Sequence, residues 1–228
     1  MENMFIKYMT DRFKEQNLHK EPGPVITLSR EYGCYATRIA QLLADRLTKE
    51  NPNKREWKWL SNEILQDAAS KLEIDPAKIT HIFSADEKKF MGDLIESFST
   101  QKKYANDLNI KRTITTVVES YAEEGNIIIV GRAGCVIAKD IPRSLHVRLV
   151  APFDWRAERI KERFNLTEQA AKKQVAGIDE KRKTFMNFFK GGDKPDCELF
   201  DLILNRSTLS EEDIVNMIMM VAKSRHFA

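Results

Sequence analysis

The stretch Pro24–Leu47, PVITLSREYGCYATRIAQLLADRL, decides how this chain is read. Val25–Leu28 is a short run of β-branched and apolar residues, the signature of a buried strand. Thr37–Lys49 repeats apolar side chains at Ile39, Leu42, Leu43 and Leu47, the spacing of one helix face. Between them lies a turn with a single glycine, Gly33. Strand, turn and helix in this order are the layout of a phosphate-binding loop, G-x-x-x-x-G-K-[ST]. Laid over that spacing, Arg30 and Tyr35 fall at the two glycines, Ala36 at the lysine and Thr37 at the hydroxyl. As a bare motif the match fails. The helix start after the strand still favours anions, and Arg30 and Arg38 flank the turn with positive charge. A plain strand-to-helix connection with surface arginines accounts for the segment equally well.

Outward from this stretch, the pattern alternates strand and helix. Glu56–Leu60, Asn126–Val130 (NIIIV), Leu145–Val150 (LHVRLV) and Leu202–Leu204 read as further strands. Pro152–Phe164, Thr167–Phe189 and Ser210–Lys223 read as helices, the last with Ser210 as N-cap and Asp213 in its first turn. Residues 61–124 are helical and polar with no strand candidate, with breaks near EIDPAKI and NDLN. They read as a helical insertion carried on the sheet. Residues 4–18 form an expected N-terminal helix, ended by EPGP at about residue 22 and packing either on the body or on a second copy. Strands that are apolar throughout argue for a parallel sheet covered on both faces, with ligands at the carboxyl ends of its strands.

Bulk properties narrow the class. The 228 residues suffice for one α/β domain. A net charge of +3 on 37 basic and 34 acidic residues argues against a dedicated nucleic-acid binder. Cys34, Cys135 and Cys197 show no metal spacing and suit reduced thiols. No apolar run approaches the ~18 residues of a membrane span. The N-terminal segment is too charged for a signal peptide, so a cytoplasmic location is expected.

Four segments carry a family resemblance in order and spacing. They are Ser29–Ala40, VGRAGCVIAKDIP after the third strand, APFDWRAERIKERF with GIDEKRKTFMNFF, and NRSTLS after the last strand. Together they resemble the nucleoside monophosphate kinases, and most of all the cytidylate-kinase-like branch. Its first loop reads S-R-x-x-G-S-G-G-R-E-I-A. Cys34, Tyr35 and Ala36 depart from its small Ser-Gly-Gly run, and Thr37 stands at its second arginine.

The resemblance implies a three-layer P-loop NTPase-like α/β sandwich with a five-stranded parallel sheet. It implies transfer of the γ-phosphoryl of ATP, with Mg²⁺, to a nucleoside monophosphate, CMP or dCMP. Ser29, Gly33, Cys34, Tyr35, Ala36 and Thr37 would cradle the donor phosphates, with Thr37 on Mg²⁺. Ser207 and Thr208 would lie beside the donor base. Ser61, Arg132 and Asp179 would face the acceptor, where Ser61 and Ala133 replace two acidic residues of cytidylate kinases. Arg156, Arg159 and Arg182 belong to the family's lid, which spans about residues 156–190.

Phosphoryl transfer needs positioning and charge neutralisation, and arginine grips phosphate oxygens bidentately. Arg30 is the favoured substitute for the missing lysine, because strand ends aim at the site, and Arg38 is second. Each arginine also reads as a solvated surface charge, and Asp179 and Arg182, three apart, as a pair with each other. Two other functions stay open: a non-catalytic nucleotide-binding sensor or partner subunit, and a kinase with a different phosphorylated acceptor.

Overall fold

The computed structural model describes residues 23–51, 55–61, 101–190 and 195–227. Five parallel strands form one sheet in the order β2-β3-β1-β4-β5. They are β1 (Val25–Arg30), β2 (Lys58–Leu60), β3 (Ile127–Val130), β4 (Ser144–Val150) and β5 (Leu202–Asn205). The central strand β1 pairs with β3 through Leu28 opposite Val130, and with β4 through Ser29 opposite Arg148 and Arg30 opposite Leu149.

Parallel neighbours require crossovers, and the helices supply them. The helix α1 (Ala36–Glu50) and the last helix, α6 (Glu211–Ser224), cover one face. There Ile26, Leu28, Ile128 and Val130 meet Ile39, Leu43, Leu47, Ile214 and Ile218. The other face is covered by α2 (Gln101–Glu124), the single turn α3 (Gly134–Ile137) and the C-terminal part of α5 (Glu168–Lys190). Val25, Ile127 and Ile129 pack there on Ile110, Ile114, Val117, Val118 and Phe189. The result is a three-layer α/β sandwich. Burial on both faces is why β1 and β3 read as continuous apolar runs.

The helix α4 (Phe153–Phe164) leaves the end of β4 with Pro152 at its N-cap, and α5 folds back against it. Ala157 and Ile160 of α4 meet Ala171 and Val175 of α5, with Tyr32 and Leu166 at the margin. The expected cap of the last helix is present as a reciprocal capping box: Asp213 N–H donates to Ser210 Oγ, and Ser210 N–H donates to the Asp213 carboxylate.

Two local expectations change. The break expected at NDLN is absent, since α2 runs through it unbroken. Ile110, Ile114 and Val117 each lie on the sheet, and that burial outweighs the low helix propensity of Asn and Asp. The turn α3 was not expected, being too short to show a period. The N-terminal helix and most of the expected insertion, residues 62–100, lie outside the described residues, and with the former goes the homo-oligomer contact. None of the described helices is long and apolar enough to cross a membrane.

Candidate active site

The loop leaving β1 is held from behind by the α4–α5 hairpin. Arg156, only 5% exposed, is the centre of that grip. Its Nε donates to Ala151 O at 2.9 Å and lies 3.3 Å from a Glu31 carboxylate oxygen. Its Nη1 donates to Tyr32 O at 3.1 Å and to Asp179 Oδ2. The other Asp179 oxygen accepts the Tyr32 N–H at 2.7 Å. Glu31 also accepts the Ala151 N–H at 3.0 Å, and Gln174 Nε2 donates to the Tyr32 hydroxyl at 3.0 Å.

Gly33 has φ of 95° and lies so close to Arg156 that an added Cβ would stand 3.0 Å from the arginine's own. A side chain there would face both a left-handed backbone and a collision. Tyr35 also takes the left-handed conformation (φ 51°), at the N-cap of α1. Its hydroxyl donates to Arg159 O at 3.2 Å, while Arg159 and Arg163 lie over its ring at 5.5 and 4.7 Å.

The front of the same strand end is different. A cleft of about 800 Å³ opens across the carboxyl ends of β3, β1 and β4, beneath α5. Ser29, Arg30, Arg132, Asp179 and Arg182 line it together. Arg30 lies against Gly131, where φ is 75° and any Cβ would run into the guanidinium. Arg182 Nη1 donates to Arg30 O at 3.2 Å and its guanidinium lies over the Tyr32 ring. Arg132 Nε donates to Ser61 O at 3.2 Å.

The turn that carries Arg132 has three successive positive φ values, at Gly131, Arg132 and Ala133. Two non-glycine residues in that region cost about 1–2 kcal/mol each, a strain of the sort that gathers at functional sites. Burial first, then the like charges of Arg182 and Arg132, push the Arg30 guanidinium down to about 9. Arg182 is lowered too, chiefly by burial. Arg30 remains a cation at neutral pH, in a place where an incoming anion relieves its repulsion with Arg182 and Arg132.

The remaining candidates lie on the α1 flank. Thr37 and Arg38 are exposed in the first turn of α1, and Arg38 stands 3.9 Å from Glu211. Glu211 also pairs with buried Arg206 at 3.0 Å, which sequence reasoning missed. Arg206 Nη1 donates to Leu209 O and so holds the β5–α6 loop. In that loop Asn205 Oδ1 accepts from both Ser207 N–H and Ser207 Oγ, and Thr208 Oγ1 donates to Asn205 O.

Among the described residues, the N–H groups of Gly33, Tyr35, Ala36 and Thr37 have no acceptor. Four unspent donors at the start of a 15-residue helix fit a phosphate group. For a metal ion, Thr37 offers a hydroxyl. The described residues hold no group of three or more His, Cys, Asp or Glu. Cys34, beneath the loop, is fully buried, and burial pushes its thiol up to about 12, so it is an inert core residue.

A cytidylate kinase from Sulfolobus acidocaldarius is 26% identical over 202 residues, covering 88% of this chain and 95% of that protein. A uronate isomerase from Corynebacterium glutamicum is 25% identical over 114 residues, half of this chain and only 22% of that protein. Among solved structures, an uncharacterized protein from Eubacterium ventriosum matches 89% of this chain and 99% of its own, with a TM-score of 0.62 at 19% identity, a likeness of fold. The model of the cytidylate kinase-like family matches residues 25–208, which takes in every strand and both sides of the site, and the chain belongs to that family.

Proposed function

We propose that this protein transfers the γ-phosphoryl group of ATP, with Mg²⁺, to a phosphate oxygen of a nucleoside monophosphate, CMP or dCMP by family. The observation that carries this reading is one strand end with two anion-seeking surfaces. Unpartnered N–H groups stand at Gly33 and Tyr35–Thr37, and three arginines, Arg30, Arg132 and Arg182, gather in the adjoining cleft.

In the reaction, an acceptor phosphate oxygen bonds to the γ-phosphorus, and the bond from that phosphorus to the β–γ bridging oxygen breaks. ADP leaves with the bonding electrons. The protein takes no covalent part, so its contribution is position and charge. The loop N–H groups hold donor phosphates, and the Thr37 hydroxyl is the residue to hold Mg²⁺, which supplies charge neutralisation when bound. Arg132 and Arg182 orient the acceptor phosphate. Arg30, at the end of the strand that leads into the loop, supplies the charge of the lysine that Ala36 replaces. Arg156 has a different part: its partners are all protein groups, so it positions the loop rather than touching substrate. Asp179 likewise serves the loop.

Melting with ATP and Mg²⁺, followed by ADP release with CMP, dCMP and other monophosphates, tests the reading. Binding at about 100 times Kd adds about 2.7 kcal/mol of stability. A shift without ADP release from any acceptor favours a nucleotide-binding protein without catalysis. The Asp179 carboxylate on Tyr32 N–H is the observation on that side. Absence of any shift at millimolar nucleotide overturns both.

A further inference from the structure

Tyr35 stands where the family's first loop has a glycine. Its backbone takes a left-handed conformation that suits glycine and strains a tyrosine (φ 51°). Strain of this kind persists where the surroundings hold the residue. Here they hold the side chain. The Arg159 guanidinium lies 5.5 Å from the centre of the Tyr35 ring and that of Arg163 lies 4.7 Å from it. The Trp155 ring centre is 4.5 Å from Arg159, and the Phe164 ring centre is 5.7 Å from Arg163. The Tyr35 hydroxyl donates to Arg159 O at 3.2 Å.

These two arginines of α4 differ from Arg156, which is answered by carboxylates. Among the described residues, neither the Arg159 nor the Arg163 guanidinium has an ion pair or a hydrogen bond. Arg159 Nε is buried without an acceptor, an uncommon state that calls for a reason. The adjacent acid Glu158 is taken by Lys161. Aromatic rings hold a guanidinium by its face and leave its N–H edge unspent. The place of the ring supplies the reason. Tyr35 is the N-cap of α1, and its own N–H is one of the four loop donors without an acceptor. One residue therefore ties the anion-seeking backbone of the loop to two cations of α4.

We infer that Tyr35 is a positioning residue: its ring holds Arg159 and Arg163 beside the loop N–H groups, where they meet the polyphosphate chain of the donor. The word donor rests on the kinase reading. The polyphosphate site rests on the loop and the stacked arginines alone.

Calorimetry with inorganic triphosphate, and with ATP and Mg²⁺, tests it. Tyr35→Leu removes the ring and keeps an apolar side chain. Both probes should bind it about fivefold more weakly, the worth of one partly exposed cation–π contact. Tyr35→Phe returns the ring and recovers most of that loss. In the Arg159→Gln/Arg163→Gln background, Tyr35→Leu has no further effect, since the cations it holds are gone. Arg163 is exposed, so Arg163→Gln tests the same site without threatening the fold, and it weakens triphosphate by about tenfold. A wild-type protein that binds no triphosphate at millimolar concentration overturns the inference without need of any variant. So does an unchanged affinity in Tyr35→Leu or in Arg163→Gln. A loss that persists in the glutamine background overturns it too, because Tyr35 then acts on the loop backbone. Tyr35→Phe no better than Tyr35→Leu makes the hydroxyl the hold and overturns the role of the ring. ADP release separates the two claims. Turnover with triphosphate binding indifferent to Tyr35 sinks the positioning role and keeps the kinase. Triphosphate binding that depends on Tyr35, without turnover on any acceptor, keeps the site and sinks the kinase.

Discussion

Arg156 and Arg182 come from the same hairpin of α4 and α5, and both were expected to close over a transferred phosphoryl group. Their surroundings are opposite. Arg156 sits behind the loop with two carboxylates and two carbonyl oxygens, its charge answered by protein. Arg182 lines the cleft with Arg30 and Arg132; burial lowers its affinity for a proton, and burial together with the charges of Arg182 and Arg132 lowers that of Arg30. The difference separates two jobs that residue type alone does not. A buried arginine with neutralised charge holds backbone in place. Arginines gathered against their own repulsion await an anion. Stability should therefore follow the first region, and ligand binding the second.

The largest effect that can break this division is at Arg156. Arg156→Ala takes from Glu31 and Asp179 the cation that pairs with both, and leaves the Tyr32 and Ala151 carbonyls without its donors. Removing one partner of a buried ionic network costs about 3–5 kcal/mol, and the partly exposed carboxylates put this case near the lower figure. At about 2–4 °C per kcal/mol for a chain of this size, the melting temperature falls by about 6–12 °C. A variant that melts with the wild type but loses nucleotide binding would move Arg156 from the first region to the second.

Arg30 supplies the converse. A charge-assisted contact is worth about 1.5–3 kcal/mol, and each 1.36 kcal/mol is tenfold in rate. Arg30→Ala should slow phosphoryl transfer at least tenfold. Because it also relieves repulsion with Arg182 and Arg132, the melting temperature should hold or rise slightly. Arg38→Ala should do less, since Arg38 is exposed and only loosely paired with Glu211. Steady-state ADP release and a melting curve on both variants decide this. If Arg30→Ala melts well below the wild type, its charge is structural after all.

The sequence made the sheet legible for a definite reason. Ile127–Val130 is buried at every residue, and a strand covered on both faces can be written only in apolar letters. The last helix was legible because Ser210 and Asp213 make its cap within four residues. The grip on the loop was hidden, because its members are Glu31, Tyr32, Arg156, Gln174 and Asp179, and no local pattern joins positions more than a hundred residues apart. Asp179 and Arg182, three apart, suggested a pair with each other. Asp179 pairs with Arg156 instead, since that contact also satisfies a backbone N–H. Gly131 carried a signal that could have been weighed: a glycine straight after a buried strand marks a close approach, here by Arg30.

The smallest effect concerns how often the grip lets go. Tyr32→Phe keeps the ring, its packing near Leu166 and its place under Arg182, and removes only the hydroxyl that accepts from Gln174. One partly buried neutral hydrogen bond contributes about 0.5–1.5 kcal/mol. If the bond breaks whenever the hairpin leaves the loop, the open population grows by the same free energy, about two- to thirteenfold. Cys34 reports that opening directly, being fully buried beneath the loop, while Cys197 is exposed and reacts at once as an internal standard. Thiol labelling at fixed pH should show the Cys197 phase unchanged and the slow Cys34 phase faster by that factor in the variant. Affinity for phosphate compounds in the cleft should stay within twofold, because the lost hydroxyl bonds to Gln174 and not to the arginine cluster. Equal Cys34 rates would mean that the loop opens without the hairpin. In that case the two regions are coupled through Arg182 rather than divided by it.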